Sequence, residues 1–431
     1  MSEVLVVVMQ GQVAGRITRK AGRLELAYDS AYATSAAATA LSVSLPLTSG
    51  THGHAAVAPW LDGLLPDDDA VRRIWGTRFH VSAGSPFSLL TSPIGEECAG
   101  AAQFIPEHRV EDVLYGRGEV AWLNESGIAD RLRDLRSDGT AWLGNDFSGR
   151  FSLAGAQAKT ALLFDSARQK WGVPSGAAAT SHILKPAIAG FVDHELNEHL
   201  CLRTAAACGL IVAPSTLAQF DDQSAVVSSR YDREDRGSRW LDRIHQEDLC
   251  QALSIEPAGK YQNEGGPGVR EISALLRNEL PAELADDGVT RFLDAVMFNW
   301  LIGGTDAHAK NYSLLLSGPQ ARLAPLYDIA SALPYPNADI RRMRMAMKFG
   351  EDYTLHMRTA SMWPKVAKEF TLPVERVRQR ASMLIERIPD ALRDAAVADD
   401  VIKLRSDLPV RLLDAVADRI AQCASTLRAS E

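Results

Sequence analysis

The chain has few cysteines, no long apolar run and no surplus of positive charge, and each shortage excludes a class of protein. Its five cysteines, Cys98, Cys201, Cys208, Cys250 and Cys423, are odd in number and lack paired spacing. They predict buried, reduced thiols, not a disulfide framework or a zinc centre. Cys201 and Cys208 lie seven apart on one helical face and read as core packing. No stretch reaches the roughly twenty apolar residues of a membrane span. Met1 to Met9 has neither a basic start nor the apolar length of a signal peptide, so a cytoplasmic protein away from membranes is expected. Lys and Arg number 46 against 54 Asp and Glu, a net charge of −8, which argues against holding nucleic acid by general basicity. What is present is an ordinary globular composition in 431 residues, enough for two or three domains.

The chemistry concentrates between Phe298 and Leu316. An apolar, helix-like run leads to Gly303-Gly-Thr-Asp306-Ala-His308-Ala-Lys310-Asn311, and Tyr312 to Leu316 reads as a buried strand. Asp306 and Asn311 are spaced like the catalytic loop of phosphoryl-transfer enzymes, in which the Asp deprotonates the attacking hydroxyl and the Asn holds a metal ion. A hairpin through Ser317-Gly318-Pro319 is expected to return Asp328, at the end of Leu323-Ala-Pro-Leu-Tyr-Asp328, beside Asn311, where both could ligate magnesium. The plainer reading of the same loop is turn formers and solvated charges.

Upstream, residues 1–108 predict a β-rich meander from Val4–Met9, Val13–Thr18 and Leu24–Tyr28, a packing or interaction domain. Asp67-Asp-Asp69 suits the N-terminus of the following helix. Ser152 is followed by Leu153-Ala154-Gly155-Ala156-Gln157-Ala158-Lys159. This small-residue loop leaves backbone amides open for phosphates, although it is neither G-x-G-x-x-G nor a Walker motif and a tight hairpin explains it as well. Lys185 ends a strand, the disposition by which kinases grip the α- and β-phosphates; an exposed edge lysine is the alternative. An amphipathic helix over Val192–Ala207 carries Glu195 and Glu198; either could pair with Lys185, and solvated glutamates of a first helical turn are the plainer reading. Ala225 to Asp232, with Arg230 and Tyr231, reads as a strand leaving for a second lobe and a hinge against a nucleotide base. From about residue 240 helices predominate, His245–Leu253 among them. Lys260–Gly268 is a glycine-dense loop, and Arg376, Arg378, Arg380 and Arg387 form a cationic helix face, either solvated or turned to DNA.

Several of these stretches together resemble the HipA family of serine/threonine kinase toxins: residues 152–163, 181–186, 245–251, 260–268, 300–313 and 323–332, with Ser42–Leu47 and Leu61–Asp67 similar to its small β-rich N-terminal subdomain. The resemblance implies an α+β, two-lobed kinase-like fold with a β-rich N-terminal subdomain (1–108), an N-lobe (109–235) and an all-α C-terminal lobe (236–431). It implies ATP and Mg2+ as cofactors, Asp306 as catalytic base, and Asn311 and Asp328 as metal ligands. Lys185 would hold the phosphates, Leu153 to Lys159 would form the phosphate loop, and Arg230 and Tyr231 would flank the nucleotide. His308 and Lys310 fall on the motif's remaining polar positions, where they would stabilise the loop or the transferred phosphate. Ser152 falls on the serine that family members autophosphorylate to silence themselves. At the hinge the family carries an acidic residue before Arg-Phe-Asp, whereas Ser229 precedes Arg230-Tyr231-Asp232 here. The implied partners are a small helix-turn-helix HipB-like antitoxin, operator DNA within that complex, and an aminoacyl-tRNA synthetase substrate, glutamyl-tRNA synthetase in the best-known case. The alternative is a weakly catalytic co-repressor acting with its antitoxin on DNA.

Overall fold

Alternation over Arg23–Tyr28 points Leu24 and Leu26 inward and Arg23 and Glu25 to solvent, the period of a half-buried strand. The computed structural model, which describes residues 3–47, 50–144, 148–188, 190–336, 338–356 and 359–428, places this strand in an antiparallel sheet. The sheet order is Thr51–Gly53, Arg23–Tyr28, Gln12–Lys20, Glu3–Met9, Ala102–Ile105. The unbroken apolar run of Glu3–Met9 has a cause: Leu5, Val7 and Met9 face the main core, while Val6 and Val8 pack with Ile105 and Val113 on the other face. The acidic triplet caps a helix as expected, with Asp68 accepting from the Ala70 amide at 2.7 Å at the start of Asp69–Phe79.

A second sheet runs Ser215–Phe220, Gln223–Ser229, His182–Lys185, Thr160–Asp165, Lys170–Gly176, Gly118–Leu123. One apolar core joins the two sheets, from Leu5, Trp60, Trp75 and Phe104 through Phe151 to Leu162, Leu184 and Val227. Residues 1–186, 218–258 and 313–321 therefore form one compact unit, and 187–217, 259–312 and 322–431 a second. Neither the border expected at 108 nor that at 235 divides these units, because the shared core runs on past 108 and residues 236–258 pack with the first unit.

The second unit is built on the helices His194–Ala207, Val269–Glu279, Ala282–Ile302, Met362–Phe370, Val374–Ala396 and Leu408–Arg428. It is not all-α: Arg344–Phe349 and Asp352–Thr354 pair as an antiparallel hairpin. Met345, Ala346 and Met347 are buried in it, and Phe349 packs on Trp300 with ring centroids 5.0 Å apart. The expected helix over His245–Leu253 is a strand, His245–Asp248, paired with Ser313–Leu316, and then a short helix, Leu249–Ala252. Asp248 and Gln251 form a capping box that starts the helix at 249 and frees the preceding residues for the sheet. His194–Ala207 is a helix but not amphipathic. Glu195 and Glu198, read as solvated, are 3% and 1% exposed. Among the described residues no helix is long and apolar enough to cross a membrane.

Candidate active site

In the first unit the stretch read as a phosphate loop is docked on the N-terminal subdomain. The Ser152 amide donates to the Glu97 carbonyl at 2.8 Å, its hydroxyl to the Leu64 carbonyl at 2.9 Å, and the side chain is fully buried. The Asp67 amide donates to the Gly155 carbonyl at 3.0 Å. Gly155 has φ +103°, a backbone conformation that calls for glycine. The Lys159 ammonium folds back onto the Ala154 carbonyl at 2.7 Å and sits 4.9 Å from the Trp142 ring centroid. The lysine thus braces the loop from within. Lys185 is buried at the end of its strand, opposite Val226. Nothing in the sequence pointed to Leu64, Asp67 or Glu97 as holding this loop, because they do so through backbone carbonyls and an amide.

The hinge residues are more committed than the sequence suggests. Arg230 uses all five N–H donors inside the protein: Asp232 takes two, and Glu97, Thr180 and the Cys98 carbonyl take the others at 2.7–3.0 Å. Its backbone amide donates to Ser181. No part of that guanidinium is left for a nucleotide. Its role is structural, since three guanidiniums (Arg230, Arg233, Arg243) converge on the buried Glu97 carboxylate. Burial would push the Glu97 carboxyl up. The Arg233, Arg243 and Arg230 charges outweigh that and hold it at about 2. The Tyr231 hydroxyl donates to Gln246.

In the second unit, the helix Ala282–Ile302, buried over most of its length from Gly288 onward, delivers the chain to the stretch read as a catalytic loop. Asp306 is exposed, whereas His308, Lys310 and Asn311 are buried around it. The Asp306 carbonyl accepts from the His308 amide at 2.8 Å and from Asn311 Nδ2 at 2.9 Å, which leaves Asn311 Oδ1 for another partner. The hairpin expected after the loop is present. The Tyr327 hydroxyl donates to the Lys310 carbonyl at 2.8 Å, so the residues just before Asp328 and Asn311 are sewn together. Asp328 itself adopts φ +57°, an uncommon conformation for a non-glycine residue that turns up at working sites. Asn197 clamps the segment beyond it, accepting from the Ser331 amide at 3.0 Å and donating to its carbonyl at 2.7 Å. Sequence alone gave no sign of that asparagine.

Three of the four arginines read as a cationic face on the helix Val374–Ala396 are spent on the unit itself. Arg376 pairs with Asp286, Arg380 with Asp294, and Arg387 donates to the Cys208 carbonyl at 3.3 Å.

An exposed carboxylate in a loop whose histidine, lysine and asparagine are buried is what a serine/threonine protein kinase presents, and the chain is of that class. Residues 151–392 match the HipA-like C-terminal domain and residues 5–105 the HipA N-terminal domain. The chain belongs to the HipA family. It is 35% identical over 430 residues to the Sinorhizobium fredii protein named "Putative kinase Y4mE", covering 99% of each chain. It is 26% identical over 371 residues to the serine/threonine-protein kinase toxin HipA of Shewanella oneidensis, covering 82% of this chain and 80% of that one. The solved structure of the Shewanella oneidensis HipA, HipB and operator DNA complex superimposes with a TM-score of 0.81 at 22% identity, over 98% of this chain and 99% of that one. At that identity it speaks for the fold.

Proposed function

We propose that the protein is an ATP- and magnesium-dependent kinase that acts as the toxin of a HipA/HipB-type toxin–antitoxin module. The observation that carries this reading is the stretch Asp306–Asn311, where Asp306 is exposed while His308, Lys310 and Asn311 are buried. Asp306 accepts the proton of a serine or threonine hydroxyl as its oxygen bonds to the γ-phosphorus. The bond to the β–γ bridging oxygen breaks and ADP leaves. Asn311 and Asp328 would hold a magnesium ion through two hard oxygen donors, a set that suits it. Among the described residues no group of three or more His, Cys, Asp or Glu forms a transition-metal site. When bound, the ion offsets charge on the transferring phosphates. Lys185 and the loop Leu153–Lys159 hold the nucleotide phosphates. Gln157 Nε2 is buried in that loop without a hydrogen-bond partner among the described residues, a donor that a phosphate oxygen would satisfy. Tyr231 faces the nucleotide. His308 and Lys310 steady the loop and the charge it meets.

The substrate is an aminoacyl-tRNA synthetase, glutamyl-tRNA synthetase first, whose phosphorylation stops translation. The partner is a small helix-turn-helix HipB-like antitoxin, which brings the pair to operator DNA. Autophosphorylation of Ser152 switches the kinase off. A dianionic phosphate has no room where the Ser152 hydroxyl is wholly buried against Leu64, so the modified loop has to leave.

Incubating wild type and Asp306→Asn with ATP and magnesium, and reading Ser152 phosphate by mass spectrometry, tests the assignment. Loss of a general base costs roughly 10²–10⁴-fold in rate, so the variant is expected to stay unmodified while binding nucleotide normally. Equal phosphorylation in both would overturn it.

A further inference from the structure

The glycine-dense stretch Lys260–Gly268 has no part in the reading above, yet the structure builds it around one side chain. The Tyr261 carbonyl accepts from the Glu264 and Gly266 amides at 3.0 Å each. A Cβ on Gly266 would lie 2.1 Å from the Gly259 carbonyl oxygen, so only glycine lets the turn close. Gln262 Oε1 accepts from the Lys348 amide at 2.7 Å, and the Ala346 amide donates to the Thr305 carbonyl at 3.0 Å. The turn, the catalytic stretch and the strand Arg344–Phe349 are thereby tied together. Tyr261 emerges with its hydroxyl donating to Asp306 Oδ1 at 2.6 Å and its ring edge-on to His308, centroids 5.0 Å apart.

Beside that bond lies a cavity of about 260 Å³ lined by Tyr261, Asn263, Glu264, Thr305, Arg344 and Tyr353. It is smaller than the roughly 300–1,000 Å³ of a site for a whole small ligand, and it suits one or two side chains. Two aromatic walls offer apolar area, and two charges of opposite sign stand exposed at it. Among the described residues neither Arg344 nor Glu264 is in an ion pair.

We infer that this cavity is the subsite for the residues flanking the acceptor serine or threonine of an extended polypeptide, and that Tyr261 is a positioning residue for Asp306. The inference rests on the kinase reading above. Tyr261 holds Oδ1, which leaves Oδ2 as the oxygen that receives the acceptor proton. The attacking oxygen bonds to the γ-phosphorus, the bond to the β–γ bridging oxygen breaks, and ADP departs. Arg344 selects an acidic neighbour in the acceptor segment, and Glu264 a basic one.

The test is phosphorylation of a degenerate serine-centred peptide library, with Asp or Lys fixed at the flanking positions, by the full chain with ATP and magnesium. Wild type is expected to favour peptides carrying one acid and one base near the serine. Arg344→Glu should lose the acid preference and Glu264→Lys the base preference, each by about tenfold. Tyr261→Phe keeps the ring and loses the hydroxyl. It should lower kcat roughly ten- to a hundredfold through misplacement of the base, with the KM for ATP and the thermal midpoint held. A purely structural tyrosine would move the midpoint instead. An active wild type whose peptide preferences survive both charge reversals, or whose kcat survives Tyr261→Phe, overturns the inference and leaves the kinase reading standing. A wild type that transfers phosphate to neither peptide nor itself brings down the kinase reading, and this subsite with it.

Discussion

At the scale of single residues, some buried polar groups of the first unit, Arg230 and His245 among them, have a partner for every donor or acceptor. His245 shows the consequence. Its Nε2 contacts the Leu41 carbonyl at 2.9 Å and its Nδ1 accepts from the Ala101 amide at 3.2 Å, a pairing that only the neutral ring can make. Burial depresses its pKa from 6.5 to about 4, against the opposing pull of the Leu41 carbonyl and Asp232. Between those two values the unfolded chain binds a proton that the native one refuses, so stability is present above about 6.5 and falls as pH drops towards 4. The loss over that window is on the order of 3 kcal/mol. Urea midpoints measured from pH 7 to pH 4 should fall, and the slope should flatten in His245→Gln.

At the scale of elements, what positions the site is a set of short backbone-made turns held against long buried helices. The part of the helix Ala282–Ile302 from Thr290 to Leu301 was legible from its apolar run, and the hairpin after Asn311 from its Gly-Pro turn. The docking of the phosphate loop on Leu64 and Glu97 was not legible, because main-chain groups carry it and every sequence has those. The turn at Lys260–Gly268 was visible as glycine density, but its purpose needed the third dimension. Gly266→Ala places a methyl against the Gly259 carbonyl and should cost about 1–3 kcal/mol by overpacking. It should also slow transfer by displacing Tyr261, and chemical denaturation together with a single-turnover rate would check both effects.

At the scale of the molecule, the chain folds as two compact units that exchange segments, not as three consecutive domains. The reason is the core that unites the N-terminal sheet with the sheet carrying Lys185, reinforced by Glu97 and its three arginines, whose segments lie far apart in the chain. All five cysteines are buried, and burial raises Cys98 and Cys201 to about 12. A thiol kept protonated and covered is inert. A thiol-reactive dye should therefore find no fast-reacting cysteine in the native protein and five after denaturation.

The amino-acid order by itself determined the family and many of the helices and strands, since spacing of residue types along a chain is local information. Burial of Glu195 and Glu198, the full commitment of Arg230 to Glu97 and Asp232, and the bond from Tyr261 to Asp306 were decided only by tertiary structure. A side chain's partners are set by which distant segments share a core, and one-dimensional order does not carry that.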